Sequence, residues 1–314
     1  MSNLHSKVLI IGSGPAGCTA AIYCARAQLS PILISGENKG GQLVNTTDVE
    51  NYPGFENNIL GPDLMQKMLN QAEKFDTKIF QTNIVSVDFS KDVFFFTDSN
   101  KQNYTADSVI ISTGASVRWL GIESEEKYKG FGVSSCAVCD GFFFKEKIVA
   151  VVGGGNSAVE EAIFLTKYAK KVILIHRRDS LRADKILQSR LFSNKKIEII
   201  WNTNVVEVLG LDKEGEKFVV GARIENKNTK EIKDIMLDGV FISIGHIPNT
   251  KLFKHAIHCD DEGYIITQSD STKTNVPGVF ACGDVQDKIF RQAVTAAGSG
   301  CMSAIEVEKF LSSK

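Results

Sequence analysis

The chain carries the same glycine-rich turn twice. Residues 12–17 read Gly-Ser-Gly-Pro-Ala-Gly, and residues 153–158 read Gly-Gly-Gly-Asn-Ser-Ala. Apolar runs and alanine-rich stretches around the two turns predict strands at residues 8–12, 31–35, 148–152 and 171–175 and helices at residues 16–29 and 157–169. Each copy therefore has the order of a βαβ unit, in which a tight glycine turn joins a strand to the start of a helix.

The two copies also end alike. Residues 107–114 and 238–245 share the pattern Asp-x-Val-x-Ile-Ser-x-Gly. One glycine turn is weak evidence, but two turns followed by matching closing strands indicate a repeated structural unit. The repeat predicts an α/β fold with two Rossmann-like FAD/NAD(P)-binding domains.

The residues after the second copy indicate how the two domains are connected. About 68 residues remain, with a predicted strand at 279–282 and a predicted amphipathic helix at 291–311. This segment is too short to bury a core of its own. We therefore expect it to return to the first domain, so that residues 1–116 and 248–314 form one domain and residues 117–247 form a second domain inserted in it.

The residue after the second strand of each copy indicates which nucleotide fits. An acid at this position binds a ribose 2′-hydroxyl, whereas an arginine accepts a 2′-phosphate. The position 25 residues after the first glycine is Glu37 in copy one and Arg178 in copy two. Copy one therefore suits FAD or NAD, and copy two suits NADP, which together suggest hydride transfer from NADPH to a flavin.

Arginine is scarce in this chain, which makes its clustering informative. Three of the eight arginines fall within six residues, Arg177, Arg178 and Arg182, although lysine is much more abundant. Guanidinium groups bind phosphate in a bidentate manner that lysine cannot reproduce. The cluster supports a 2′-phosphate site, and the alternative is a solvated basic surface at the end of a strand.

A pair of cysteines, Cys136 and Cys139, lies directly before the second copy and is followed by Asp140. Two thiols at this spacing can form a reducible disulfide, with Asp140 as a proton donor or acceptor. The alternatives are two idle buried cysteines or half of a zinc site, for which His255, His258 and Cys259 are the one other cluster. We predict no metal, and we expect the other five cysteines to fill core positions: Cys18, Cys24, Cys259, Cys282 and Cys301.

Composition excludes several other classes of protein. The chain has 314 residues, enough for roughly two domains, and its 36 basic and 37 acidic residues nearly cancel. A nucleic-acid binder or a polybasic membrane-surface protein would carry a basic excess. No apolar run approaches the roughly 18 residues of a membrane-spanning helix, and the polar residues 1–7 predict no signal peptide. Seven cysteines at low density favour a reducing compartment, so we expect a cytoplasmic protein.

These motifs together resemble the low-molecular-weight, bacterial-type thioredoxin reductases, of the class II pyridine nucleotide-disulfide oxidoreductases. The resemblance covers essentially the whole chain and extends to Lys39-Gly-Gly-Gln-Leu43, Glu50-Asn-Tyr-Pro-Gly54, Cys136-Ala-Val-Cys-Asp-Gly141, Gly283-Asp284 and Arg291-Gln-Ala293. One departure is Cys18, where relatives carry an aromatic residue; it lies behind the first turn and puts no catalytic residue in doubt.

The resemblance implies the following roles. FAD would be bound by Gly12, Gly14, Pro15, Ala16, Gly17, Ser35, Gly36, Glu37, Asn38, Lys39, Gly40, Gly41, Gln42, Asn51, Gly283, Asp284, Arg291, Gln292 and Ala293. NADPH would be bound by Gly153, Gly155, Asn156, Ser157, His176, Arg177, Arg178 and Arg182. Cys139 would face the flavin, Cys136 would attack thioredoxin, and Asp140 would act as the acid or base. The resemblance also implies a homodimer and a rotation of one domain about linkers at residues 115–118 and 246–249.

Four other classes of protein share part of this pattern. A ferredoxin- or flavodoxin-type NADP reductase needs both turns but not the cysteine pair. The reductase subunit of an alkyl hydroperoxide system carries an additional N-terminal Cys-x-x-Cys, and glutathione-reductase-like enzymes need a further interface domain. A redox-sensing or zinc-dependent binding module would use nucleotides only structurally, and an NADPH-bleached yellow protein would exclude it.

Overall fold

The computed structural model describes residues 3–46, 48–213 and 216–314. These residues divide into two units: unit 1 comprises Met1–Ser116 and Ile247–Lys314, and unit 2 comprises Val117–His246. The sequence predicts the second of these boundaries one residue later. None of the helices in the described part of the chain combines the length and apolar character that crossing a bilayer requires.

The helices and strands follow one another in three segments. The first contains β1 (Leu4–Ile11), α1 (Pro15–Arg26), β2 (Ile32–Ile34), β3 (Asp48–Val49), β4 (Ile59–Leu60), α2 (Gly61–Lys74), β5 (Lys78–Phe80), β6 (Ile84–Asp88), β7 (Phe94–Asp98), β8 (Asn103–Ile111) and β9 (Ala115–Val117). The second contains α3 (Glu123–Tyr128), β10 (Val133–Ser134), α4 (Ala137–Asp140), β11 (Ile148–Gly153), α5 (Asn156–Leu165), β12 (Lys171–Ile175), α6 (Lys185–Ser193), β13 (Ile197–Ile200), β14 (Thr203–Lys213), β15 (Glu216–Asn226), β16 (Ile232–Met236) and β17 (Gly239–Ser243). The last contains β18 (His246–Pro248), β19 (Val279–Ala281) and α7 (Ala293–Ser312).

Unit 1 is built on a sheet with the order β5-β2-β1-β8-β7-β6, in which β19 also pairs with β8. Strands β5, β2, β1, β8 and β19 are parallel, and β7 and β6 continue the sheet in the antiparallel sense. The chain leaves β1 toward β2 on one side, while β8 lies on the other. The carboxyl ends of β1 and β8 therefore form the point where strand order reverses and where such sheets bind ligands.

Unit 2 repeats this arrangement on a smaller scale. Its parallel sheet has the order β10-β17-β11-β12-β13, so β11 lies between β12 and β17 as β1 lies between β2 and β8. A separate antiparallel sheet, β14-β15-β16, packs through residues such as Val208 and Val219 on the same apolar cluster as Val240 of β17. The predicted α/β fold with two Rossmann-like units is confirmed.

The first helix ends earlier than the sequence predicts. We expected it to reach residue 29, but α1 ends at Arg26. Gln28 and Ser30 both adopt the left-handed conformation, with φ of 58° and 46°, which no residue of a right-handed helix can have. The helix predicted at about residues 291–311 is found as α7, where Gln292 is the N-cap and forms a capping box with Thr295.

The cysteines divide into two groups. Cys18, Cys24 and Cys282 are fully buried, and Cys18 fills the apolar cluster between α1 and α2 with Leu64 and Met65. Cys259 and Cys301 are only partly buried, so the prediction of five core cysteines is wrong for these two.

Candidate active site

The first glycine turn packs so closely that side chains are excluded at two of its positions. Gly12 has φ +111°, and a Cβ built on it would lie 2.2 Å from the carbonyl oxygen of Ser112 on the neighbouring strand. A Cβ on Gly17 would lie 1.9 Å from the carbonyl oxygen of Gly12. No atom lies within 4 Å of the corresponding point on Gly14. The turn thus packs tightly on its inner side and leaves open space on its outer side.

The start of α1 faces this open space with unpaired amides. Gly14 is the N-cap, no side chain caps the helix, and the first turn contains no acidic residue. Such a helix end offers free N–H groups and the positive end of a dipole. It therefore fits a pyrophosphate, which is the group that the sequence predicts at this point.

Ser13 connects the turn to the loop after β2. Its buried hydroxyl donates to the carbonyl oxygen of Ser35 at 3.0 Å and accepts from the amide of Gly40 at 2.9 Å. Glu37 lies in the same loop, where its Oε1 accepts from Asn83 Nδ2 at 2.8 Å. The carboxylate is thereby fixed beyond the end of β2, the position from which an acid binds a ribose hydroxyl.

Distant parts of unit 1 meet at this end of the sheet. Asn51 Nδ2 donates to Gln292 Oε1 at 3.2 Å, across 241 residues of sequence. Gly283 lies against α1, since a Cβ built on it would be 2.9 Å from the Cβ of Ala16. Burial raises the pKa of Asp284 to about 6, with a further rise from Asp287 and an opposing effect of Arg291.

The second glycine turn reproduces the packing of the first. A Cβ built on Gly153 would lie 2.2 Å from the carbonyl oxygen of Ser243, which occupies the same place in its closing motif as Ser112. No atom lies within 4 Å of the corresponding point on Gly155. Gly155 is the N-cap of α5, again with no side-chain cap and no acidic residue in the first turn. Unit 2 therefore also offers a site that fits a pyrophosphate.

The arginine cluster is attached to this second turn. The amide of Arg182 donates to the carbonyl oxygen of Gly154 at 2.8 Å. Asn156 and Asp184 exchange two hydrogen bonds of 2.9 Å, which hold the end of the arginine loop beside the start of α5. The side chains of Arg177, Arg178 and Arg182 are exposed, and no ion pair within the described residues uses them. They are available for an anionic ligand.

His176 holds the arginine loop in place through a hydrogen bond to Ser180. Its Nε2 donates to the carbonyl oxygen of Ser180 at 3.0 Å, and its ring packs edge-on against Trp201. Burial lowers its pKa, the hydrogen bonds to Ser180 and Gly153 raise it, and the charges of Arg178 and Arg182 lower it further, so that the pKa lies below its usual value. The imidazole is therefore a neutral spacer near pH 7 and not an additional cation for the phosphate.

Cys136 and Cys139 form a disulfide, with a Cα–Cα distance of 5.3 Å. Cys136 is the N-cap of α4, and its Sγ accepts from the amide of Cys139 at 3.2 Å. Cys139 is exposed and Cys136 is partly exposed. An amide donor directed at sulfur stabilises a thiolate, which favours Cys136 as the nucleophile once the disulfide is reduced.

Asp140 ends α4 and faces inward. Its Oδ2 accepts a 2.5 Å hydrogen bond from the hydroxyl of Ser134, the last residue of β10. Burial raises the pKa of Asp140, and the hydrogen bond from Ser134 lowers it. A partly buried carboxyl beside a dithiol is suited to exchange protons with sulfur.

An apolar surface surrounds the disulfide. Val138, Phe142 and Phe143 are 54%, 57% and 39% exposed, and Phe142 packs edge-on against Tyr168 at a centroid distance of 6.0 Å. Large exposed side chains clustered around a reactive group are typical of a protein-binding surface.

The predicted site residues fall into two groups, one in each unit. Those predicted for FAD all lie in unit 1: in the first turn, in the loop after β2, at Asn51, after β19, and at the start of α7. Those predicted for NADPH and the cysteine pair all lie in unit 2. Within the described residues, no group of three or more His, Cys, Asp or Glu side chains is arranged to hold a metal, and the cluster around His258 belongs to unit 1.

Four further residues of this region are absent from the residues that the sequence predicts. Ser13 and Ser134 act through their hydroxyl groups. The partners of Ser13 are distant in the sequence and Asp140 is separated from Ser134 by a helical turn, so motif spacing in the sequence does not indicate either serine. Phe142 and Phe143 follow the cysteine pair directly, and an aromatic pair at that position could have been recognised as an exposed surface.

Comparisons with known proteins agree with this geometry. The family model for pyridine nucleotide-disulphide oxidoreductases matches residues 6–300. The chain is 60% identical over 308 residues to a thioredoxin reductase of Rickettsia felis, covering 98% of this chain and 99% of that protein. A crystal structure of thioredoxin reductase from Streptococcus pyogenes matches with a TM-score of 0.93 and 46% identity over 100% of both chains. A thioredoxin reductase from Giardia duodenalis matches with a TM-score of 0.93 and 38% identity, over 99% of this chain and 100% of that one.

Proposed function

This chain belongs to the pyridine nucleotide-disulphide oxidoreductase family and, within it, to the thioredoxin reductases, and on that premise we propose how its residues share the reaction. The chain is an NADPH-dependent thioredoxin-disulfide reductase. The observation that carries this function is a disulfide, Cys136–Cys139, beside one of two nucleotide turns of opposite preference. Bound FAD supplies the two-electron relay between NADPH and this disulfide.

Unit 1 is the proposed FAD domain. The open outer side of Gly14 and the uncapped start of α1 would receive the pyrophosphate, and Glu37 would bind the ribose. Asn51 and Gln292 hold each other at the same end of the sheet, near enough to contact one ligand from two sides. The buried carboxyl of Asp284 would donate to or accept from a hydroxyl of the cofactor.

Unit 2 is the proposed NADPH domain. The pyrophosphate would lie against Gly155 and the start of α5. Arg177, Arg178 and Arg182 would bind the 2′-phosphate, which NADH lacks. Because the amide of Arg182 is bonded to Gly154, the turn and the arginine loop would recognise both phosphate groups as one rigid element.

The reduced cysteine pair performs thiol–disulfide exchange. The Cys136 thiolate attacks one sulfur of the thioredoxin disulfide, so that a mixed disulfide forms and the other thioredoxin sulfur leaves as a thiolate. Asp140 gives that thiolate its proton and then takes one from Cys139. The Cys139 thiolate attacks Cys136, which re-forms the internal disulfide and releases the second thioredoxin sulfur to be protonated by solvent.

Thioredoxin would dock on the apolar surface formed by Val138, Phe142 and Phe143. These side chains surround the disulfide and are exposed, whereas apolar residues of this size are normally buried. Phe131 is also exposed, and the ammonium of Lys217 lies 5.8 Å from its ring. An exposed apolar surface beside the disulfide suits a partner that presents an apolar rim around its own disulfide.

The distribution of groups between the units requires a movement. NADPH and the cysteine pair both belong to unit 2, and both must exchange electrons with a flavin bound to unit 1. A rotation of unit 2 about the two linkers would let them alternate. Gly114 and Gly245, with φ of +67° and +110°, directly precede the two linkers, and glycine tolerates the dihedral changes that a hinge needs.

We also propose that the protein is a homodimer and that it is located in the cytoplasm. Helices α1 and α7 of unit 1 carry exposed apolar side chains, Tyr23, Met302 and Ile305, which a second copy would cover. The low cysteine density and five free cysteines fit a reducing compartment.

Oxidation of NADPH by the purified protein tests the function directly. The protein should be yellow, NADPH should bleach it, and sustained NADPH oxidation should require thioredoxin. NADH at the same concentration should support little turnover. Rapid oxidation of NADPH without thioredoxin, and no acceleration by it, would contradict the proposal.

A further inference from the structure

Ser134 contacts both the acid and the nucleophile of the exchange reaction through one oxygen atom. Its Oγ lies 2.5 Å from Oδ2 of Asp140 and 3.0 Å from the amide nitrogen of Cys136. The carbonyl oxygen of Cys136 is further away, at 3.5 Å. A single hydroxyl therefore joins Asp140 to the backbone of Cys136.

The direction of these bonds follows from the chemistry of the groups. The amide of Cys136 can only donate, so Ser134 must accept there. Its own proton is then free for one acceptor, and the contact of 2.5 Å to Asp140 is far shorter than that of 3.5 Å to the carbonyl oxygen. Ser134 thus donates to the carboxyl of Asp140.

The hydroxyl is itself held in place by the sheet. Ser134 is the last residue of β10 and pairs with Phe241 of β17, a central strand of unit 2. The residue is buried, which fixes its rotamer and keeps water from replacing it. By contrast, α4 has only four residues, Ala137–Asp140, and cannot fix a side chain at its own end without help.

We propose that Ser134 is a positioning residue for the reduction of thioredoxin, which holds the carboxyl of Asp140 at a constant place relative to Cys136. The inference rests on the proposed function. Ser134 touches neither substrate nor sulfur and acts through Asp140. Because both bonds share one oxygen, loss of the hydroxyl would release the acid and loosen the backbone of the nucleophile together.

The same bond changes the acidity of Asp140. Burial raises the pKa of this carboxyl, and donation from Ser134 lowers it. Without the hydroxyl, only the effect of burial remains, so the pKa should rise further. Two titratable groups near Asp140 belong to α4 itself: Cys136, its N-cap, and Cys139. Two more, Glu160 and Glu161, lie on α5, which packs against α4.

The test is the pH dependence of kcat/KM for thioredoxin between pH 5 and 9 in Ser134→Ala, Ser134→Thr and Ser135→Ala. In Ser134→Ala the plateau should fall about tenfold, and the alkaline limb, where Asp140 loses its proton, should move upward by about one pH unit. Ser134→Thr keeps the hydroxyl and should restore the limb. Ser135→Ala changes the neighbouring serine and should match the wild type.

Two further measurements separate the possible outcomes. Stopped-flow reduction of the flavin by NADPH does not use Asp140 and should be unchanged in all three variants. Glu160→Gln and Glu161→Gln should leave the limb in place, which excludes the two carboxyls of α5 as its source. An unchanged plateau and limb in Ser134→Ala would overturn the inference, as would a fall in plateau that Ser134→Thr does not restore. If the wild-type protein reduces no thioredoxin, the proposed function fails instead.

Discussion

The imidazole of His176 occupies the space where a side chain on Gly154 would lie. A Cβ built on Gly154 would be 2.2 Å from Cε1 and 2.3 Å from Nδ1 of the ring. The same ring holds the arginine loop through Ser180. The middle glycine of the second turn is therefore required by packing against the protein, whereas Gly155 faces open space.

Gly154→Ala should force the ring of His176 away and loosen the arginine loop. We expect a loss of about 1–3 kcal/mol in the free energy of unfolding, as for other overpacked sites. The KM for NADPH should rise roughly tenfold, the equivalent of about 1.4 kcal/mol. Urea unfolding and steady-state kinetics measure the two effects, and FAD content should not change.

Gly155→Ala is the matched variant, and it should separate folding from binding. Gly155 has φ −92°, which alanine adopts freely, and no neighbouring atom obstructs its Cβ. The free energy of unfolding should stay the same or rise by up to about 1 kcal/mol. The KM for NADPH should nevertheless rise, because the methyl group occupies the space proposed for the pyrophosphate. Equal behaviour of the two alanine variants would argue against this division of roles.

Replacing Arg177 and Arg178 together by alanine should change the preference between nicotinamide nucleotides. Each bond from guanidinium to phosphate contributes about 1.5–3 kcal/mol, so the KM for NADPH should rise by roughly two orders of magnitude. The KM for NADH should change by less than about threefold, since NADH has no 2′-phosphate. Arg190→Ala, an exposed arginine on α6, is the control. An unaltered ratio of the two KM values would place the 2′-phosphate elsewhere.

Serine at either position of the redox pair should stop thioredoxin reduction and leave the first half-reaction intact. Neither Cys136→Ser nor Cys139→Ser can re-form the internal disulfide, so turnover should fall by more than about a thousandfold. NADPH should still bleach the flavin at the wild-type rate. Cys259→Ser, which removes a partly buried free thiol, should retain full activity. Loss of bleaching in Cys136→Ser would contradict the separation of the two steps.

The buried carboxyl of Asp284 should make the FAD-free protein less stable as the pH rises. Its pKa is about 6 in the folded chain, mainly because of burial, and near 3.8 in a model peptide. Between these values the folded state binds more protons than the unfolded state, so stability is greatest below pH 4 and is lost as the pH passes through 6.

Asp284→Asn should remove this dependence. At pH 7 the FAD-free variant should gain roughly 1–3 kcal/mol in unfolding free energy, and at pH 4 the gain should vanish. The variant should also retain less FAD, since an amide offers one neutral acceptor oxygen to the cofactor's hydroxyls where a carboxylate offers two charged ones. Unfolding curves at the two pH values and the absorbance of bound flavin test both parts.

The repeated motif was sufficient to predict the fold class and the strands next to the two glycine turns. Gly12 and Gly153 pack on Ser112 and Ser243, the equivalent residues of the two closing strands. The two parts of the repeated sequence motif are therefore in direct contact in the folded chain. The reason is steric, because only glycine permits the approach of strand and turn. Strand β12 has the predicted bounds of residues 171–175.

Other features depend on interactions that no spacing reveals. The antiparallel strands β6, β7 and β14–β16 were not predicted, because they lie outside the repeat and their apolar pattern is weak. Ser13 reaches Gly40 across 27 residues, and Asn51 reaches Gln292 across 241. Such pairs are set by the completed fold, so sequence could indicate Asn51 and Gln292 only through resemblance to relatives.

The two points where the chain leaves and re-enters unit 1 lie side by side. Asn249 bonds to Gly114 through its amide, to Thr113 through its side chain and to the hydroxyl of Ser116. To unit 1, the inserted segment is therefore a loop with adjacent ends, and the entropic cost of closing such a loop grows only logarithmically with its length. A domain inserted at this position therefore disturbs the folding of unit 1 little, and replacing it by another domain should leave unit 1 able to fold.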